Sequence, residues 1–257
     1  MNKSQQSTDE KRLQNEKEWH NRLANNEFSD ALSKKLNHGA VLYLCLDRLE
    51  EYATEGLDKN KTVLDYCCGD NAFLIENASI IKEGIGIDIS DVLIAKQNEK
   101  REKEHIQNIK FEVMDAMNTS FPDNMFDVIY AKAVLHHLDV EEAMYEIKRI
   151  LKKGGEVFIQ EPLGTNPVIA LYRKMTPQYR TVDECAFMRK DIKTIRQHFP
   201  KMEIEYYLFF ALLAFPFRNL KIFKKIANAL FQIDKLFLHK RSPFKWLAWC
   251  CIMRLQK

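Results

Sequence analysis

The stretch Thr62-Val63-Leu64-Asp65-Tyr66-Cys67-Cys68-Gly69-Asp70-Asn71, followed by an apolar-spaced segment over 72–80, constrains this chain more than any other. A β-branched and aliphatic run ends in a carboxylate, a tight turn of small residues follows, and a helix opens. Such a strand–turn–helix unit belongs to a doubly wound sheet, where ligands bind beyond the carboxyl ends of the strands. It predicts where further strands and acidic residues should fall downstream.

Size and composition set the outer limits. A chain of 257 residues can bury one substantial core, so one large domain with decorations is expected. The net charge of +3 hides an asymmetry: residues 1–200 hold 28 Lys/Arg against 33 Asp/Glu, whereas residues 201–257 hold 11 against 3. The basic character sits in the tail and points to a local partner there. The six cysteines, Cys45, Cys67, Cys68, Cys185, Cys250 and Cys251, form no CxxC pair. Neither a zinc ribbon nor a thioredoxin-type motif is supported, and no metal is expected. The adjacent pairs read as small buried hydrophobes of a reducing compartment. The first 17 residues are polar with no apolar core, which argues against a signal peptide. No apolar run reaches the roughly 18 residues of a membrane span. A cytoplasmic protein is expected.

Residues 1–12 are expected to be loose. Leu13, Trp19, Leu23, Ala24 and Phe28 suggest amphipathic helix over 13–32, and Leu42, Leu44, Cys45, Leu46, Leu49 and Tyr52 a second helix. Both precede the first strand and are placed to cover the end of the sheet as a lid. Strands are predicted over 62–65, 84–88, 109–115, 126–131 and 156–161. Helices are predicted between them, over 71–80, 90–104 with Ser90 as N-cap, and 140–151. Lys152-Lys153-Gly154-Gly155 reads as a helix stop. This alternation gives an α/β, Rossmann-like, mostly parallel sheet with right-handed crossovers. Past Pro162, helices are expected over 166–177 and 191–199, a sixth strand over 203–210 and a last strand over 247–255. The organisation is a helical lid at 1–60, a cofactor-binding core at 61–200, and the last strands at 201–257 with an apolar, basic insertion at 209–243.

Asp65, Asp88 and Asp115 end successive predicted strands. A carboxylate ending strand two can accept both hydroxyls of a ribose, and a polar residue ending strand three can read the amino edge of an adenine. A dinucleotide site would instead place a diphosphate on the first helix N-terminus. Asp70 opposes an anion there, and a GxGxxG comparison finds Cys67, Gly69 and Ala72, with one of three glycines present. Adenosine without phosphate, carrying an ammonium and a sulfonium, fits better: S-adenosylmethionine.

At these residues the chain resembles the class I S-adenosylmethionine-dependent methyltransferases, of the broad group that includes ubiquinone and menaquinone biosynthesis enzymes. The resemblance rests on six pieces in order. They are Val63-Leu64-Asp65-x-Cys67-x-Gly69, Gly86-Ile87-Asp88-Ile89-Ser90, Asp115-Ala116, Phe121-Pro122-Asp123-Asn124-x-Phe126-Asp127-Val128-Ile129-Tyr130, Val134-Leu135-His136-His137 and Arg149-Ile150-Leu151-Lys152-x-Gly154-Gly155. It implies S-adenosyl-L-methionine as cofactor and S-adenosyl-L-homocysteine as product. The turn from Asp65 through Cys67 to Gly69 would hold the methionine part, and Asp88 the ribose. Ile89 would pack on the adenine, Asp115 and the Ala116 backbone would read its edge, and Ala131 and Lys132 would line the methionine side. Cys67 and Asn71 stand where the family has its first and third turn glycines. The resemblance also implies a seven-stranded class I methyltransferase sheet, with an antiparallel last strand beside strand five.

His136 and His137 follow strand four, where the acceptor meets the methyl; they read as a general base or as a structural turn. Glu161, Tyr172, Arg173, Arg180, Asp183 and Glu184 follow strand five and read as acceptor-pocket residues or as a solvated loop. Trp19 and His20 read as lid closure or helix packing. The pair Asn166-Pro167 follows strand five, whereas the motif of nucleic-acid amino methyltransferases belongs after strand four. No basic, aromatic-interleaved face appears in 61–200 either, so no nucleic acid is expected. The tail mixes Phe, Leu and Ile with Lys and Arg, as an interfacial segment on the inner membrane face would, or as a packed cap with snorkelling lysines. Either way a small, lipophilic acceptor is favoured. The rival readings are a methyltransferase for a polar small molecule or sugar, and a non-catalytic S-adenosylmethionine-binding partner protein.

Overall fold

Every residue of Thr62–Tyr66 is buried, which only a strand covered on both faces allows. A computed structural model describes residues 3–25, 41–177 and 184–257, with side chains throughout except at 3–10 and Tyr172. Helices α1 (Lys3–Ala24) and α2 (Tyr43–Thr54) lead into β1 (Thr62–Tyr66), α3 (Phe73–Asn77), β2 (Glu83–Asp88), α4 (Asp91–Lys103), β3 (Ile109–Val113) and β4 (Phe126–Lys132). A 3₁₀ turn at Leu135–His137, α5 (Val140–Ile150), β5 (Leu151–Pro162), α6 (Pro167–Met175), α7 (Arg189–His198) and β6 (Lys201–Tyr207) follow. A 3₁₀ segment at Phe210–Phe217, α8 (Phe223–Phe237), a 3₁₀ turn at Pro243–Leu247 and β7 (Cys250–Gln256) complete the chain.

The seven strands lie in the order β3-β2-β1-β4-β5-β7-β6. Strands β1 to β5 pair in parallel, and β7 runs antiparallel to both β5 and β6. The order reverses between β1 and β4, so a crevice opens beyond their carboxyl ends. On one face Leu64, Tyr66, Ile129, Val157 and Met253 pack against α5 and α7. On the other, Val63, Val128, Tyr130, Phe158 and Ile252 pack against α2, α3 and α8. Alternation along each strand thus fills two cores from one sheet. Gly86 sits where β2 meets Phe111, whose ring a Cβ would approach to 2.4 Å. Ser90 caps α4 by accepting from the Leu93 N–H at 3.1 Å, as its position predicts.

Local differences from the sequence expectation have physical causes. Residues 1–12 are helical from Lys3 onward, within α1. Lys152 to Gly155 are not a helix stop: α5 ends at Ile150, and these residues bulge within β5, whose pairing jumps from Phe126↔Leu151 to Val128↔Glu156. Gly154 takes φ +77° there, and a Cβ on Gly155 would stand 3.0 Å from the Asp127 carbonyl oxygen. The helix expected over 71–80 is confined to Phe73–Asn77. The sixth and seventh strands start or stop a few residues from the expected bounds, at Lys201–Tyr207 and Cys250–Gln256. Among the described residues, no helix is long and apolar enough to cross a membrane.

The insertion is helical and closes on one acidic residue. Asp234 is fully buried and accepts the backbone N–H groups of Phe209 (3.2 Å), Phe210 (2.7 Å) and Ala211 (3.2 Å), capping the 3₁₀ segment. Burial raises its pKa, and those N–H bonds oppose the rise. Every other charge of 209–243 is basic.

Candidate functional site

The turn after β1 is wound tightly. Cys67 and Gly69 adopt left-handed φ of +58° and +52°. The Cys68 N–H donates to the Ile87 carbonyl at 2.8 Å, and the buried Gln97 of α4 donates to the carbonyls of Gly69 (3.1 Å) and Asn71 (2.6 Å). Conformational strain of the missing glycines therefore falls on Cys67 alone, since Asn71 keeps a negative φ. Asn71 serves differently: its amide donates to Asp65 at 3.3 Å.

Asp88 holds the turn to β2. Its Oδ2 accepts from the Gly69 N–H and its Oδ1 from the Ser90 N–H, both at 2.9 Å. A carboxylate fixed in this way still has lone pairs for two hydroxyls. Asp115 accepts from the Met117 N–H at 2.9 Å, and Tyr66 donates to the Ala116 carbonyl at 2.7 Å, which fixes the loop after β3. Asp65 is 1% exposed, and burial pushes its pKa up to about 8, with Lys132 and Asn71 opposing the rise and Asp88 adding to it. A buried acid so destabilised when charged is suited to receive a ligand cation.

These residues converge on a cavity of about 460 Å³. Of the sequence candidates, Cys67, Gly69, Asp88, Ile89, Asp115, Ala116, Lys132 and His137 line it, together with Asp70 and Asn71. Asp65 lies just beneath the wall, behind Asn71. Ala131 does not line it: it is wholly buried in β4, and Lys132, Ala133 and Val134 face the cavity in its place.

The two histidines separate. His137 lines the cavity, whereas His136 borders a neighbouring cavity of about 320 Å³ with Arg12, Leu138 and Cys185. His136 Nδ1 lies 2.7 Å from Glu161, whose other oxygen accepts the N–H groups of Val134 (2.8 Å) and Leu135 (2.7 Å). Glu161 is fully buried, so it clamps the 3₁₀ turn and does not face an acceptor. Arg173 and Glu184 pair with each other at 2.8 Å and do not line the cavity, although the Glu184 carboxylate stands within 4.8 Å of a ring nitrogen of His137. Arg180 and Asp183 lie outside the described residues, as does the side chain of Tyr172.

For the upper wall, sequence patterns predict a helical lid and single out Leu13, Leu23 and His20, but miss Arg12 and Glu16. Helix α1 crosses the cavity with Arg12, Leu13, Glu16, His20 and Leu23. It is docked on the start of α4, where Lys17 pairs with Asp91 and Asn21 donates to the same carboxylate, both at 3.0 Å. Helix α2 packs against the sheet face beside Phe158 and Cys250. The spacing of Glu16 and His20, four apart, was the available signal for one cavity-facing stripe.

A sheet of this order, with carboxylates ending β1, β2 and β3 around a cavity without a phosphate cradle, defines the class I, S-adenosylmethionine-dependent methyltransferase domain. Residues 64–159 match the family model described as a methyltransferase domain, which places that segment in the class. The sterol 24-C-methyltransferase of Aspergillus fumigatus is 30% identical over 149 residues, 56% of this chain and 38% of that protein. The demethylmenaquinone methyltransferase of a Geobacillus species is 29% identical over 123 residues, 46% of this chain and 52% of that one. The chain thus spans about half the length, or less, of these curated relatives. The phosphoethanolamine N-methyltransferase 2 of Haemonchus contortus, crystallised with S-adenosylhomocysteine, shares the fold with a TM-score of 0.60 at 16% identity, covering 81% of this chain and 52% of that one. S-adenosylmethionine is the cofactor of this class. The donor set fits it: Asp88 and Asp115 in the lining would meet the ribose and the adenine edge, and Asp65 beneath the wall would balance the ammonium.

Proposed function

We propose that the protein is an enzyme that transfers the sulfonium methyl of S-adenosylmethionine to an oxygen or carbon of a small lipophilic acceptor, of quinone, isoprenoid, polyketide or lipid-like character. One observation carries the reading: a single cavity joins the strand-end carboxylates of Asp88 and Asp115, with Asp65 just beneath its wall, to the apolar side chains of Leu13 and Leu23 on α1 and of Val134 and Leu138. Relatives named for sterol and demethylmenaquinone methylation support that acceptor class.

When bound, S-adenosylmethionine would supply an electrophilic methyl on sulfur, leaving as S-adenosylhomocysteine once the acceptor atom has taken the methyl. The chain's own part is chiefly positioning, which alone lowers such a barrier substantially. Where the acceptor carries an acidic O–H or C–H, His137 is the base at hand to take the proton. Glu161 positions it by clamping the turn through Val134, Leu135 and His136.

The insertion supports contact with an anionic membrane surface, from which such an acceptor would be drawn. Ile222, Ile233 and Leu236 form an exposed stripe at helical spacing along α8, beside exposed Leu213, Phe217 and Leu220. Lys221, Lys224, Lys225, Lys235 and Lys240 flank it, all exposed. Labelled-methyl transfer into lipid and aqueous extracts of the source cells tests the activity. Label in a lipid-phase product is expected, and label confined to water-soluble products would overturn the acceptor class. Liposome flotation tests the surface: binding to anionic vesicles should be lost in Leu236→Asp/Ile222→Asp, and unchanged binding would remove it.

A further inference from the structure

The cavity's upper wall holds a side-chain cluster to which no cofactor contact has been assigned. Glu16 and His20 share one face of α1, and His137 meets them from the turn after β4. His137 Nδ1 lies 3.2 Å from Glu16 Oε2, and His20 Nε2 lies 3.6 Å from the same oxygen. The three donor atoms fall within 4.8 Å of one another. His137 Nδ1 is buried and makes no hydrogen bond among the described residues, although it stands at ion-pair distance from a carboxylate.

Donors bound at about 2.1 Å to one tetrahedral or octahedral cation stand about 3.0–3.4 Å apart. The His137–Glu16 separation already falls in that interval, and the His20–Glu16 separation exceeds it by a few tenths of an ångström. The carboxylate of Asp88 lines the same cavity and adds negative charge near these donors, while Arg12, donating to the His137 carbonyl, opposes a cation. A second grouping, of His136, His137 and Glu184, is the weaker candidate: His136 is held by Glu161 and Glu184 by Arg173.

We propose that Glu16, His20 and His137 form a binding site for a divalent transition-metal ion, of the borderline class that prefers imidazole nitrogen with one carboxylate, such as Zn²⁺ or Co²⁺. Three protein donors leave coordination positions open toward the cavity. The ion would tie helix α1 to the core across the cavity, since its ligands come from both. With the ion bound, His137 is a ligand and not the base, and polarising an acceptor oxygen in an open position is the ion's chemical use; that role rests on the methyltransferase reading, whereas binding itself does not. Sequence alone could not show this site, because Glu16 and His20 stand in α1 and His137 far along the chain, in the turn after β4.

The test uses the full chain free of any affinity tag, stripped with a chelator and titrated with Co²⁺ while visible absorption is followed. One Co²⁺ per chain is expected, displaced by Zn²⁺ and not by Mg²⁺. His20→Ala and His137→Ala should each weaken binding by more than about 100-fold, and Glu16→Gln, which keeps the side-chain volume, should weaken it as well. His198→Ala, which removes a distant histidine paired with Glu141 at 2.8 Å, should leave binding unchanged. Far-UV circular dichroism confirms that each variant is folded. Absence of stoichiometric Co²⁺, wild-type affinity in folded His20→Ala or His137→Ala, or a thiolate charge-transfer band from Cys67 or Cys185 would overturn the site. Calorimetry with S-adenosylhomocysteine on the same sample separates the two readings. Homocysteine-form binding without Co²⁺ sinks the metal alone, and Co²⁺ without it sinks the cofactor reading alone.

Discussion

Asp88 and Asp234 are both buried carboxylates held by backbone N–H groups, yet they sit in regions with opposite purposes. Asp234, inside the insertion, takes three N–H groups of one local segment and is sealed away from any cavity. Asp88, at the end of β2, takes two N–H groups and opens on the cavity floor. The first arrangement completes a fold; the second is left incomplete so that a ligand completes it. Burial of an acid therefore does not mark a site until its remaining lone pairs are located.

Mutation should split the two. Asp88→Ala removes two charge-assisted bonds to the ribose, about 4 kcal/mol or roughly 1,000-fold in S-adenosylhomocysteine affinity by calorimetry. Asp234→Ala should leave that affinity unchanged while costing about 3 kcal/mol of stability, because three N–H groups lose their acceptor. That corresponds to a melting temperature lower by about 10 °C. Equal loss of affinity in both variants would break the distinction.

Asp65 is the intermediate case, buried like Asp234 but set just beneath the wall of the cavity on which Asp88 opens. Its folded pKa of about 8 lies above the ordinary value of 3.8, so the native state keeps a proton that the unfolded chain gives up. Its contribution to ligand-free stability is present below about pH 4 and is lost as pH rises to about 8. A ligand ammonium reverses the preference and expels the proton. Affinity for S-adenosylmethionine should thus rise by up to about tenfold per pH unit between pH 6 and 8. Calorimetry in buffers of different ionisation enthalpy would detect that proton, and Asp65→Asn should abolish its release. The smallest effect is expected at Cys67, whose φ of +58° is strained for any residue with a Cβ. Cys67→Gly should raise stability by up to about 1 kcal/mol in thermal unfolding, and a decrease would show that the thiol packing outweighs the strain.

The fold was legible because strand and helix periods alternate cleanly from Thr62 to Glu161, and the strand-end acids followed from it. What was not legible depended on contacts between distant segments. Glu161 ends a strand like the three aspartates, but its side chain turns inward to N–H groups of Val134 and Leu135. Ala131 falls on the buried side of a pleat whose neighbour, Lys132, faces the cavity. Gly154 and Gly155 looked like a helix end because a β-bulge asks for the same conformational freedom as a C-cap. Arg12 and Glu16 became visible only once α1 was docked across α4, whereas His20 already reads from the sequence as lid closure or helix packing.

The central claim is that the floor built from Asp65, Asp88 and Asp115 accepts a cationic, phosphate-free nucleoside. Calorimetric titration of the intact chain with S-adenosylmethionine and, separately, with NAD tests it most directly. The account predicts one S-adenosylmethionine per chain and no NAD; tight NAD binding with none for S-adenosylmethionine would contradict it.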